Sequence, residues 1–351
     1  MTIKILGAGI AGLTAAIVLA KSGHLVEVFE KNKDCGMRFH GDLQGLENWS
    51  EKKDVVEELK KIGIEINFQC DAFNKFSITN CVDLKEVANY RPIYYLVKRG
   101  CFEGSLDLGL KEQAIKSGVK INFERTLQKS EVDIIATGPI FSEAPAVDKG
   151  IMFKTKSKDM AVIVFNDALA YRGYSYLLIS KGHGCMCTFV FKDMTKINEY
   201  FKRTEDYFIK NFGIEMESIK EVGGTGSIRL KPTFKDGKSL YVGEATGLQD
   251  FLWGFGIRSA IKSGYLAAQS IIEGKDYEKM AKKQFNKKIK ASFVNRFVWE
   301  KMGKNNYRFI VKNANFVKNN LYSISNFNII HRALYPFAKN YVKKEYPKMK
   351  I

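Results

Sequence analysis

No two cysteines form a C-x-x-C pair; the six stand apart at Cys35, Cys70, Cys81, Cys101, Cys185 and Cys187. That scatter argues against zinc, an iron–sulfur centre or a disulfide framework, and it suits a reducing compartment. No metal site is expected. Cys185 and Cys187 lie two apart in a strand-like run, so both face one side of a sheet, as buried thiols. An uninterrupted apolar stretch of about 18 residues is missing too, which leaves no candidate membrane span. Residues 2–6 run straight into a glycine turn, too short for the apolar core of a signal peptide, so a cytoplasmic location is expected. No repeat period appears.

Acidic residues are scarce in one place only. Residues 275–351 hold 19 Lys/Arg against 4 Asp/Glu, whereas the preceding 274 hold 37 against 34. The net charge of +18 therefore sits almost wholly in the last fifth of the chain. There the cations interleave with aromatic and aliphatic residues, as in Phe293-Val294-Asn295-Arg296-Phe297-Val298-Trp299. A solvated basic face and a surface that meets an anionic membrane both fit this pattern, the second making the protein peripheral to a membrane. A nucleic-acid partner is not expected, because no recognised module or separate basic domain accompanies the charge.

A chain of 351 residues with 45% hydrophobic and 27% charged residues is an ordinary globular composition. Its length suggests two domains at ~150 residues each. The opening reads as a buried strand (3–6), an Ala- and Leu-rich helix (10–21) and a second strand (25–29). A helix is predicted over 51–62, a strand over 64–79, and a fully apolar strand over 132–136. Antiparallel alternation follows over 152–191, then a helix near 195–211, a short strand at 239–242 and a helix over 254–273. This order predicts an α/β fold with an α+β insert. A Rossmann-type domain with a parallel sheet would occupy 1–70, 95–150 and 220–274. An antiparallel-sheet substrate domain would occupy 71–94 and 151–219, and a basic helical region 275–351.

Gly7-x-Gly9-x-x-Gly12 sits between the first strand and the first helix, the context that gives this pattern meaning. Gly7 permits the tight turn, Gly9 lets backbone approach a diphosphate, and Gly12 permits close helix–strand packing. The helix start, with Ile10 and Ala11, offers unpaired N–H groups to the phosphates. Glu30 ends the second strand, 18 residues after Gly12, placed to accept from ribose hydroxyls.

Four stretches extend this to a resemblance. Beside the fingerprint stand Arg99-x-x-Phe102-Glu103-x-x-Leu106, Ile134-Ile135-Ala136-Thr137-Gly138, and the long segment from Gly243 to Ala268. Together they resemble the flavoprotein group of geranylgeranyl reductases, FixC-type dehydrogenases and aromatic-ring hydroxylases. The resemblance implies FAD as cofactor. It implies that Arg99 reaches back towards FAD, that Thr137 and Gly138 flank the nucleotide, and that Gly243 and Glu244 carry the ribityl contact. The family has Asp where this chain has Glu244. Gly254, Phe255, Gly256 and Ile257 open a helix whose N–H groups would point at the flavin ring and favour negative charge on it. Within the group, geranylgeranyl reductases are the most similar: Tyr174 and Tyr176 lie in a stretch like their substrate-lining element, with Tyr176 in place of a tryptophan.

The activity implied is reduction of a C=C bond in an isoprenoid or other apolar lipid, with an FAD-dependent monooxygenase and an electron-transfer flavoprotein as alternatives. NAD(P)H or an acidic, ferredoxin-like carrier would supply electrons. His40, in the loop after the second strand, is a candidate general acid, and Arg38 a candidate for FAD phosphate or a substrate anion. Trp253, counted with His40 as a catalytic candidate, and Phe255 are candidates to wall an isoprenoid pocket. Gly223-Gly224-Thr225-Gly226 reads as a tight turn rather than a second dinucleotide loop.

Overall fold

The computed structural model describes residues 2–349, with the side chains of 304–306 outside the description. Lys350 and Ile351, the end of the basic region, also lie outside the described residues. The chain opens with β1 (Ile3–Leu6), α1 (Ile10–Lys21), β2 (Val26–Phe29), β3 (His40–Glu47) and α2 (Val55–Lys61). Strands β4 (Cys70–Phe73), β5 (Lys75–Thr79), β6 (Leu84–Ala88) and β7 (Tyr94–Gly100) follow. Helix α3 (Leu106–Lys116) leads to β8 (Lys120–Asn122) and β9 (Ile134–Ile135). Next come β10 (Val147–Lys154), β11 (Met160–Val164), β12 (Tyr174–Ser180), β13 (His183–Val190) and α4 (Ile197–Phe212). The chain ends with β14 (Glu217–Thr225), β15 (Lys235–Asp236), β16 (Ser239–Tyr241), α5 (Ile257–Glu273) and α6 (Tyr277–Met302). Helices α7 (Lys304–Lys312), α8 (Ala314–Ile324) and α9 (Ile329–Glu345) close it.

The nucleotide sheet has the order β15-β16-β9-β1-β2-β8 and is parallel except for β15 at its edge. Its central strand β1 reads Ile-Lys-Ile-Leu, and Ile5 is fully buried between Val28 of β2 and Ile134 of β9. Helix α1 is buried from Ile10 through Leu19, because the sheet covers one side and α5 and α3 the others. That is why its sequence is apolar nearly all round. A second sheet, β14-β10-β13-β12-β11-β5-β6, is antiparallel apart from the β11–β5 pair. A small antiparallel sheet, β3-β7-β4, joins the two.

The architecture is the one expected; several details are not. The predicted strand over 64–79 is two strands in different sheets, β4 and β5, because the chain changes partner at Asn74. The predicted 51–62 helix starts at Val55, where Asp54 accepts from the Val56 N–H as its N-cap. His40 opens a strand rather than lying in a loop. Gly223 and Gly224 are not in a tight turn: they end β14, paired with Lys149 and Asp148 of β10. The later strands of the antiparallel sheet, β10 to β14, thus lie between residues 147 and 225, while β5 and β6 join it from earlier in the chain. The basic C-terminal region is not a separate layer. Tyr277, Ala281, Phe285, Ile289, Phe293 and Val342 are buried in the same core as β1 and α1.

Candidate functional site

The site is built on two helix starts brought together. Gly7 has φ +103°, and a Cβ on it would lie 2.4 Å from the Ala136 carbonyl oxygen. A Cβ on Gly12 would lie 2.1 Å from the Gly7 carbonyl oxygen, so the first turn of α1 is pressed against the loop it leaves. Gly9 differs: nothing stands within 4 Å of where its Cβ would be. Gly9 caps α1 without a side chain, and the first turn of α1 holds no acid. Its N–H groups and the positive end of the helix dipole therefore face open space. Glu30 lines that space, accepting from the Ala8 N–H at 2.9 Å and from Asn32 N–H and Nδ2 at 3.0 and 2.7 Å.

Helix α5 crosses α1 so closely that a Cβ on Gly264 would sit 2.2 Å from the Ala11 carbonyl oxygen. The crossing delivers the start of α5, capped by Gly256 and again without a side-chain cap, to the same space. The loop before it turns at Gly254 (φ +74°) against the Phe189 ring. Asp250 accepts from the Leu252 and Trp253 N–H groups at 3.1 and 2.6 Å, and Arg296 of α6 donates to the Phe251 and Leu252 carbonyls. Phe255 lies against Gly45 of β3 and meets Trp49 edge-on at 4.7 Å.

One cavity of about 660 Å³ joins these parts. Gly7, Gly9, Ile10, Ala11, Glu30, Thr137, Gly138 and Gly243 line one end, and Glu244, Gln249 and Gly254–Ile257 its middle. The far end is walled by Ile78, Ile93, Leu96, Ile163, Phe165, Tyr174, Tyr176, Leu178 and Trp253, and by Ile310, Ala314, Val317 and Leu321 from α7 and α8. Three polar atoms of the lining are buried without a hydrogen-bond partner: Gln249 Oε1, Thr225 Oγ1 and Tyr94 OH. Such atoms are costly unless a ligand meets them. A glycine cradle at an open helix start, a second open helix start and orphaned polar groups between them fit a flavin dinucleotide.

Several predicted residues lie in this cavity with other partners than expected. Arg38 donates to Glu244 at 2.6 Å and to the Thr225 carbonyl at 2.7 Å, so the residue expected to meet FAD phosphate or a substrate anion and the one expected at the ribityl chain form an ion pair in the lining. Arg99 is buried, bonded twice to Asp107 and once to Gln44, with its guanidinium 4.0 Å over the Phe39 ring. The acid of that motif, Glu103, is exposed; Asp107, in the first turn of α3, is the partner that matters. His40 is exposed at the start of β3 and outside the lining, so the structure does not bring it to the site. Trp253 lines the cavity among Phe165, Tyr174 and Trp299, with no titratable group to offer. The Tyr174 hydroxyl donates to the Trp253 carbonyl, and burial raises the pKa values of Tyr174 and Tyr176, keeping both phenols neutral.

The sequence reading missed Asp148. It stands on β10 in the lining, its Oδ1 near Gly224 and Arg38. Burial pushes its carboxyl up to about 6 against the pull of Arg38, with Asp42 and Glu244 repelling it further. A single acid within an unremarkable strand gives no spacing signal by which to find it.

The profile of NAD(P)-binding Rossmann-like domains matches residues 5–44. An L-amino-acid oxidase of Bothrops pauloensis is 37% identical over 75 residues, which cover 18% of this chain and only 15% of the oxidase's length. Solved structures share the whole fold. A geranylgeranyl bacteriochlorophyll reductase-like protein from Thermoplasma acidophilum aligns with TM-score 0.71 and 16% identity, covering 98% of this chain and 99% of the other. The flavin-dependent brominase Bmp2 aligns with TM-score 0.69 and 13% identity over 99% and 100%. A flavoprotein/dehydrogenase from Cytophaga hutchinsonii aligns with TM-score 0.65 and 14% identity over 97% and 99%. The chain thus has the Rossmann-type fold of flavin-dependent oxidoreductases, with its glycine turn inside the matched segment.

Proposed function

We propose that this chain is an FAD-dependent oxidoreductase that reduces a C=C bond of an apolar, isoprenoid-type lipid. The observation that carries the proposal is the single cavity, polar and glycine-lined at two helix starts and apolar beyond them. When bound and reduced by two electrons, the flavin would supply a hydride to one carbon of the double bond and return to the oxidised form, while the other carbon takes a proton. Gly9 and the α1 N–H groups would hold the diphosphate, and the α5 start would favour negative charge at the ring. Arg38, Glu244 and Arg99, each held by a protein partner, fix the walls. Phe165, Tyr174, Tyr176 and Trp253 exclude water and align an extended apolar chain. Electrons would come from transiently docked NAD(P)H or from an acidic carrier steered by the basic surface. Anaerobic photoreduction followed by mixing with a detergent-dispersed polyprenyl lipid tests this. Reoxidation without oxygen is expected, and it separates the proposal from oxygen-dependent hydroxylation; a flavin that stays reduced overturns it.

Asp148 takes the role expected of His40. Its carboxyl, pushed up to about 6, carries a proton at Oδ1 or Oδ2 on the acid side of that value, where it would serve as the proton donor at the edge of the apolar end. Asp148→Asn should lower turnover by roughly 10²-fold or more and remove a fall in activity as pH rises through about 6. The same variant should stabilise the flavin-free protein. The native pKa lies above the ordinary value of 3.8, so the folded state binds more protons than the unfolded one and loses stability as pH rises from about 4 to 6. Asparagine lacks that loss. A melting temperature at pH 8 no higher than that of the wild type would contradict the assigned burial.

A further inference from the structure

Helices α7 and α8 have two apolar faces. The inner one presents Ile310, Ala314, Val317 and Leu321 to the cavity. The outer one leaves Phe309, Phe316 and Tyr322 exposed, at 48%, 62% and 41%. Soluble proteins scatter single exposed hydrophobes over their surface, but here three large aromatics within 14 residues stand out from the sides of two adjacent helices that face away from the cavity. Lys318 of α8 donates to the Ala88 carbonyl at 2.9 Å, tying this wall to the end of β6.

Charge decides what meets the patch. Residues 301–344 contain nine Lys/Arg and no Asp or Glu. On the outer faces Arg308 and Lys312 stand exposed beside Phe309. The outer sides of α7 and α8, where cations stand without acids among exposed rings, are complementary to anionic headgroups above an apolar interior. An acidic protein would answer the cations but would leave the rings unexplained. No described helix is long and apolar enough to cross a membrane, so any contact is with its surface.

We propose that the outer faces of α7 and α8 dock on an anionic bilayer surface. The apolar substrate then passes from the bilayer to the cavity along the two-helix wall that separates them. This second half rests on the function proposed above; the docking does not.

Flotation of the full-length protein with vesicles of phosphatidylcholine, with and without phosphatidylglycerol, tests the docking. Binding is expected to the anionic vesicles only, weakening as salt rises. Arg308→Gln/Lys312→Gln should weaken it about 30-fold. Phe309→Ser/Phe316→Ser should weaken it about tenfold. Lys210→Gln, an exposed cation on α4, should leave it unchanged. Every substituted side chain is exposed, so circular dichroism and melting should match the wild type. Absence of flotation with anionic vesicles overturns the proposal. So does a phenylalanine pair variant that floats like the wild type while the cation variant does not, which would assign the face to an acidic macromolecule. Reoxidation of the reduced protein by detergent-dispersed lipid is read separately. A protein that floats but is not reoxidised loses the function and keeps the docking, and the converse result does the opposite.

Discussion

Replacing Gly9 by valine should give a colourless protein that unfolds at the temperature of the flavin-free wild type. The two halves of that result have separate causes. Gly9 has φ −83° and ψ 179°, an extended conformation that a β-branched residue adopts without strain. Nothing lies within 4 Å of its Cβ position, so the flavin-free protein has no atom to move. What the side chain meets is the space where the diphosphate would rest against the α1 N–H groups. Overlap of this kind costs about 3 kcal/mol, or roughly 100-fold in affinity, when neither side can yield. Here the α1 start cannot, because Gly12 and Gly264 lock it against the Gly7 and Ala11 carbonyls. Gly12→Ala supplies the contrast. Its Cβ would stand 2.1 Å from the Gly7 carbonyl oxygen, so that variant should lose both flavin and stability. Ligand retained after gel filtration, measured by absorbance and mass spectrometry, checks the prediction. A Gly9→Val protein that purifies yellow would mean that the cradle is not the diphosphate site.

How much of this was legible in the sequence follows from whether a feature is local. Gly7 and Gly12 are conditions on backbone geometry, and geometry within a dozen residues is written in residue type. The same holds for β11 to β13, which read as apolar strands because both faces of that sheet are packed. Strand β3 escaped notice because Gly41, Asp42 and Gly45 are poor strand formers; it is a strand only because β7 pairs with it from Glu47 to His40. The Arg38–Glu244 pair joins residues 206 apart in the chain, and no periodicity reports such a contact. Asp148 is one carboxylate among 38 acids until the fold sets it beside Arg38 and Glu244. The basic tail showed its charge but hid its core face, because lysines crowd between the buried positions of α6 and α9 along the chain. Long-range pairing, more than local structure, is what the chain's order concealed.

Arg296→Met should be the most destabilising of single substitutions in the C-terminal helices, and it should also loosen flavin. Arg296 is 1% exposed on α6. Its Nε donates to the Phe251 carbonyl at 3.0 Å, Nη2 to Leu252 at 2.7 Å and Nη1 to Arg172 at 2.6 Å. The guanidinium also lies 3.5 Å over the Phe191 ring and 3.5 Å from Glu300, which is itself buried. Methionine fills most of the volume and answers none of the three carbonyls. Glu300 keeps its bonds from Tyr341 and Tyr346 but loses the buried cation that balances it. Removing one partner of such a buried pair costs about 3–5 kcal/mol. At ~2 °C per kcal/mol for a chain of this size, the melting temperature should fall by roughly 6–10 °C. Flavin retention should fall with it, because Phe251 and Leu252 belong to the loop that delivers Gly256 and the α5 start to the cavity. Adding Glu300→Gln should recover part of the melting temperature by removing the unbalanced charge, and none of the flavin retention, because the loop carbonyls stay unanswered. Arg296→Lys should fall between, since an ammonium cannot fork to three carbonyls at once. Calorimetry and flavin release measured on the four proteins separate these effects, and an Arg296→Met protein that melts with the wild type would show that α6 does not hold the loop.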